Sequence, residues 1–128
     1  MMMGQRLRTY KRIASARGDE TLEQIRAETE DRYGRVPESV EHLFRYARLR
    51  RTAEEMRVIS IDRTPLGIAI KLGEKARVAP DKLLSLVEKR EGVSFAPSGI
   101  LRIELNGDEA EHVIETAHRL LLEIRATD

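Results

Sequence analysis

The stretch ETEDRYGRVP, residues 28–37, sets Glu28, Glu30 and Asp31 just ahead of Gly34, the residue expected to end a helix. The carbonyl end of a helix dipole is negative and favours basic side chains, so acids gathered there work against it. With Leu22 placed at 0° and about 100° per residue, Glu28 falls at roughly 240° and Asp31 at roughly 180°, beside Glu20 and Gln24 and away from the apolar stripe. All of them face outward. Arg32 can pair with Glu28, whereas Asp31 gains no base before the helix ends. An ordinary solvated face fits this spacing, and so does a functional one, since an uncompensated carboxylate at the wrong end of a dipole breaks a local rule as functional sites do.

The arginines of RYARLRR form a second cluster. Arg45, Arg48 and Arg51 recur every third residue and could line a basic ridge for nucleic acid or a partner protein. Against this, Glu41 and Arg45, Arg50 and Glu54, and Arg51 and Glu55 all stand at i,i+4 spacing, which reads as a salt-paired, solvated helix. Arg48 lacks such a partner. His112 and His118 are six residues apart, roughly 240° around one helix, and cannot share a metal. His42 stands alone, and all three histidines are expected to be solvated. Six serines have no base beside them in the sequence, and neither G-x-x-x-x-G-K-[ST] nor G-x-G-x-x-G occurs. The expectation is a chain without catalytic residues, metal or cofactor of its own, and not an enzyme.

Composition narrows the class further. At 128 residues the chain has the length of one domain, 41% hydrophobic and 35% charged, with only 4% aromatic residues to stack on bases. It has no cysteine, which suits a reducing cytoplasm. No apolar run approaches the roughly 18 residues of a membrane span, so a soluble, cytoplasmic monomer with no membrane partner is expected. The net charge of +1 hides an asymmetry: residues 1–18 hold five of the 23 basic residues and no acid, leaving 18 bases against 22 acids, a balance of −4, for the rest. A duplex-binding body would need the opposite balance. MMMG is followed abruptly by the basic helical pattern of QRLRTYKRIASAR, which suggests a piece of something larger. In that pattern Leu7, Tyr10, Ala14 and Ile13 predict an amphipathic helix that docks elsewhere.

These residues are positioned by a simple order of elements. Thr21 and Gln24 stand at capping-box spacing, predicting a helix over 21–33 with Leu22, Ile25, Thr29 and Tyr33 inward and Gly34 as its stop. Pro37 suits the first turn of a second helix, whose apolar face moves from Val40, Leu43, Phe44 and Ala47 to Leu49, Ala53 and Met56, so that helices pack on it early and a sheet late. From Val58 the period falls to two: ISI and LGIAIKL flank DRTP as an antiparallel pair, and VSF and ILRIEL flank APSG as another. Between the pairs, Pro80 opens a short helix carrying Leu83, Leu84 and Val87. Asn106 or Asp108 caps a last helix with a stripe from Ala110 through Val113, Ile114, Ala117, Leu120 and Leu121 to Ile124. The fold class is α+β: N-terminal helices followed by a ββαββα unit with a small, mainly antiparallel sheet.

The run ETEDRYGRVPESVEHLFRYARLRRTA resembles the signature that opens the C-terminal domain of bacterial transcription-repair coupling factors, the Mfd family. There a Glu-Leu-x-Asp-Arg-Phe-Gly-x-x-Pro run precedes a helix with Arg-Leu-Arg and then Ala. The matches are Glu28, Asp31, Arg32, Gly34, Pro37, Arg48, Leu49, Arg50 and Ala53, with Tyr33 for Phe; Thr29 departs from the usual Leu. RLRTYKRIASA is similar to the segment leading out of that family's helicase motor. The resemblance implies a division into residues 1–18, a basic helical segment from the motor, and 19–128, the C-terminal domain. It further implies a parent that is an ATP-driven DNA translocase acting on stalled RNA polymerase, with ATP and Mg²⁺ confined to its motor domains. In the family this domain packs on a UvrB-like module of the same protein, masks the UvrA-binding surface and restrains the motor. The contact sets carboxylates of the first helix against arginines of that module, and maps to Glu28 and Asp31, with Arg32 and Arg48 as further interaction candidates. An accessory nucleic-acid-binding module, using the Arg45, Arg48 and Arg51 ridge with the basic N-terminal helix, is the competing reading.

Overall fold

A computed structural model describes residues 3–127, with Met3 described in its backbone alone. Residues 1, 2 and 128, which the expected ranges 1–18 and 19–128 include, lie outside the described residues. The chain divides into two compact units between Arg51 and Thr52.

Three helices make the first unit: α1 (Met3–Ser15), α2 (Asp19–Tyr33) and the greater part of α3 (Glu38–Glu55). Their apolar faces meet in a core of Ile13, Leu22, Ile25, Val36, Val40 and Phe44, with Tyr10, Ala16, Leu43 and Ala47 packed around it. Each of the fully covered side chains Leu22, Val40 and Phe44 contributes about 1.5–3 kcal/mol of burial before entropy is charged. The basic N-terminal helix therefore finds its dock within the chain, through Ile13, and the expected boundary at residue 18 falls inside this unit. α2 starts two residues earlier than the capping-box spacing predicts. Gly18 is its N-cap, without a side-chain bond, and its carbonyl accepts from the Leu22 N–H at 3.1 Å. Asp19 and Glu20 in the first turn complement the dipole and make a cap at Thr21 unnecessary. Thr29 is buried, yet its hydroxyl is satisfied by donating to the Ile25 carbonyl at 2.7 Å, which explains how a polar side chain holds a place on the inward stripe. Gly34 ends α2 at φ 80°, its N–H donating to the Glu30 carbonyl at 2.9 Å; the left-handed φ is what calls for glycine. Pro37 sits just before α3, where its carbonyl accepts from the Val40 and Glu41 N–H groups.

The second unit is the ββαββα arrangement. Strands β1 (Val58–Arg63), β2 (Gly67–Leu72), β3 (Val93–Phe95) and β4 (Ile100–Glu104) form one antiparallel sheet in the order β1-β2-β4-β3. Ile70 pairs with Ile61 on one side and Leu101 on the other, and Ile68 pairs with Ile103. Alternation then puts Ile68, Ile70, Leu72, Leu101 and Ile103 on a buried face, while Lys71, Arg102 and Glu104 stay exposed on the other. The ladder of β1 slips between Val58 and Ser60, so Ile59 has no partner across the sheet and is 60% exposed. At the APSG turn Gly99 has φ 89°, and a Cβ there would lie 2.4 Å from the Leu72 carbonyl oxygen.

Of the helices in this unit, the first forms where expected and the last departs from expectation. α4 (Pro80–Lys89) half-buries Leu83 and Val87, but Leu84 is 58% exposed on its outer side. The last helix is two: α5 (Asp108–Glu111) and α6 (Val113–Ile124), parted at His112 with φ −120° and ψ 56°. Neither Asn106 nor Asp108 caps them by a side chain; the N-cap residues are Gly107 and His112. The imidazole Nδ1 of His112 lies 3.0 Å from the Asp108 carbonyl, which also accepts the His112 N–H at 3.0 Å. Beyond the break, Ala117, Leu120, Leu121 and Ile124 are buried as the stripe predicts. No helix among the described residues is long and apolar enough to cross a membrane.

Candidate functional site

α2 presents its carboxylates on the face opposite Leu22 and Ile25, and each meets a different environment. Glu28 is exposed but held: Arg12 of α1 brings Nη2 to 2.8 Å from its Oε2. The pair replaces the expected Glu28 to Arg32 contact, because packing of Ile13 beside Leu22 and Ile25 lays α1 along α2 and delivers Arg12 to this point. Arg32 instead places its guanidinium carbon 5.9 Å from the Tyr33 ring centroid. Asp31 is exposed and, among the described residues, takes part in no ion pair or side-chain hydrogen bond.

Arg48 is not the unpartnered member of the arginine ridge. Its Nη2 bonds the Oε1 of Glu23, from α3 back to α2. Neighbouring Arg45 donates to Glu38 at 2.8 Å. Glu41, expected to serve Arg45, receives Nη1 of Arg26 at 2.5 Å, and Arg26 also reaches Glu30 at 3.1 Å and lies over the Phe44 ring. The hydrogen bond to Glu41 raises the Arg26 pKa, and the same bond lowers that of Glu41, in each case against the desolvation that opposes charge. Three ion pairs thus tie α2 to its neighbours, Arg12 to Glu28, Arg26 to Glu41, and Arg48 to Glu23. They join residues 15 to 25 apart in sequence, where no helical spacing announces them.

The four candidates therefore separate. Glu28, Asp31 and Arg32 share the exposed C-terminal half of α2, whereas Arg48 is drawn to the N-terminal half by Glu23. Elsewhere, His118 is not simply solvated: its Nε2 lies 2.8 Å from the hydroxyl of buried Thr52. In the second unit Glu109 takes a two-pronged bond from Arg90, at 2.6 and 2.9 Å, and a further one from Arg119 at 3.1 Å. That clamp keeps the Glu109 carboxyl below its ordinary value and fastens the loop after α4 to α5. Asp108, Glu111 and His112 could each offer one ligand atom within 4.8 Å of the others, but all three are exposed and His112 is already bonded within α5.

A helical unit followed by a ββαββα unit with an acid-rich helix at its surface defines a small α+β domain. The chain belongs to the TRCF domain family, whose model matches residues 2–83. It is 36% identical over 109 residues to the transcription-repair-coupling factor of Haemophilus influenzae, a match covering 85% of this chain and 9% of that protein. To the factor of Escherichia coli K12 it is 38% identical over 85 residues, 66% of this chain and 7% of that one, and to that of Myxococcus xanthus 32% over 89 residues. The chain thus spans 7–9% of the length of these relatives. In fold it is similar to the crystal structure of the C-terminal domain of transcription-repair coupling factor, with a TM-score of 0.74 at 16% identity, covering 97% of this chain and 83% of the other.

Proposed function

We propose that the chain acts as an autoinhibitory protein-interaction domain within a longer, cytoplasmic, ATP-dependent DNA translocase that couples transcription to nucleotide excision repair. It docks on a UvrB-like module of the same protein, covers the surface that would bind UvrA and restrains the motor until stalled RNA polymerase is engaged on DNA. It performs no catalysis and binds no cofactor itself; ATP and Mg²⁺ belong to the motor. The observation that carries this reading is Asp31, an exposed carboxylate at the negative end of α2 with no partner among the described residues. An arginine from another module would supply the missing charge, and such a contact, partly shielded from water, costs several kcal/mol to truncate, of order 2–5. The nucleic-acid reading is weakened because Arg45 and Arg48 already face Glu38 and Glu23.

The test is the double variant Glu28→Ala, Asp31→Ala in the full-length parent. Increased UvrA binding and faster ATP turnover are expected, with the isolated chain losing at most the exposed Arg12 pair, about 0.2–1 kcal/mol. Unchanged UvrA binding and turnover would place the interface elsewhere.

A further inference from the structure

Glu28 is occupied in the free chain, and the occupant is a guanidinium. Arg12 stands next to Ile13, which is 4% exposed and fixes α1 in the core, so the backbone that delivers Arg12 is anchored. Its side chain is 52% exposed and that of Glu28 60%, so the pair can part without unpacking anything. Asp31, one turn further along α2, has no such occupant among the described residues.

On the reading of Glu28 and Asp31 as docking carboxylates, we propose that Arg12 is a built-in stand-in for the docking module's arginine at Glu28, and so sets which partner the site accepts. Docking then exchanges one guanidinium for another at Glu28. The exchange is nearly neutral, because an ion pair of the same kind is broken and made. Affinity comes chiefly from Asp31, where nothing is given up, while Glu28 acts as a filter. A lysine brings a hydrated point charge and no planar fork, and displaces Arg12 poorly; an arginine matches it. Arg12 is thus a specificity-determining residue that need not touch the partner.

The experiment places Arg12→Gln, alone and with Glu28→Gln, in the full-length parent and titrates UvrA. Removing the competitor tightens the closed state, so R12Q should weaken UvrA binding by about 1.5- to 5-fold, the span set by an exposed ion pair. The effect should vanish in the Glu28→Gln background. Arg12→Lys should fall between wild type and R12Q. In the isolated chain, the Arg12 Nε–Hε resonance should move on Glu28→Gln, confirming the pair without reference to docking. If R12Q instead raises UvrA binding, Arg12 supports the closed state and the stand-in is overturned while docking survives. If R12Q changes nothing although Asp31→Ala opens the parent, Glu28 is uncontested and the proposal again falls alone. If Glu28→Ala, Asp31→Ala leaves UvrA binding unmoved, the docking reading fails and takes the stand-in with it.

Discussion

Arg26 and Glu41 join α2 to α3 through a bond of 2.5 Å between Nη1 and Oε2, with 27% and 17% of their side chains exposed. The bond depresses the Glu41 carboxyl below its ordinary 4.5. A carboxyl lowered on folding contributes stability above its unfolded value and loses it as pH falls through the folded value. Glu41→Gln should therefore cost about 1–3 kcal/mol at pH 7, by leaving a half-covered guanidinium short of its partner. Urea melts of both proteins should converge as the pH is taken below 4.5; a gap that stays constant on acidification would show that the pair is not the source.

Gly34 offers a purely conformational test. A Cβ there would touch nothing within 4 Å, so Gly34→Ala isolates the expense of φ 80°. A loss of about 1–3 kcal/mol is expected from thermal or denaturant melts, because φ 80° with ψ −148° is a region essentially confined to glycine. No loss would mean that α2 ends differently.

Leu121 is fully covered on α6. Leu121→Ala should leave a cavity and destabilise by about 2–5 kcal/mol. Denaturant melts showing a change under about 0.5 kcal/mol would contradict the packing of α6.

Duplex DNA should bind weakly near physiological salt. The residues after 18 carry a net −4, and the Arg45 and Arg48 charges are matched by Glu38 and Glu23. Fluorescence anisotropy with a labelled duplex is the check; sub-micromolar affinity with a steep salt slope would favour the nucleic-acid reading.

Signals that act within a few residues were legible in the sequence. Gly34 ended α2, the period changed at Val58, and APSG closed the second hairpin as expected, whereas only Thr64 and Pro65 of DRTP lie in the first turn, Asp62 and Arg63 being paired in β1. The stripe on α6 was equally plain: six apolar residues recur there at helical spacing, and Ala117, Leu120, Leu121 and Ile124 among them are buried. What escaped depends on neighbours distant in sequence. Arg12 meets Glu28 and Arg48 meets Glu23 because helices pack, and no spacing rule relates those positions. The break at His112, where φ is −120° and ψ 56°, interrupts an apolar pattern that runs on without a mark. Of the site, the exposed acids of α2 were legible, and the partner one of them already holds was not.

The sheet's two open edges bear on how the chain behaves when crowded. β3 is three residues long, and β1 ends in the exposed charged residues Asp62 and Arg63 and begins in an irregular register at Ile59. Short length, charge and a kinked ladder each deny a second molecule the straight row of free amides and carbonyls on which fibrils are templated. Concentrated solutions of the chain should therefore stay free of cross-β assembly, even with a hydrophobic isoleucine showing at the rim.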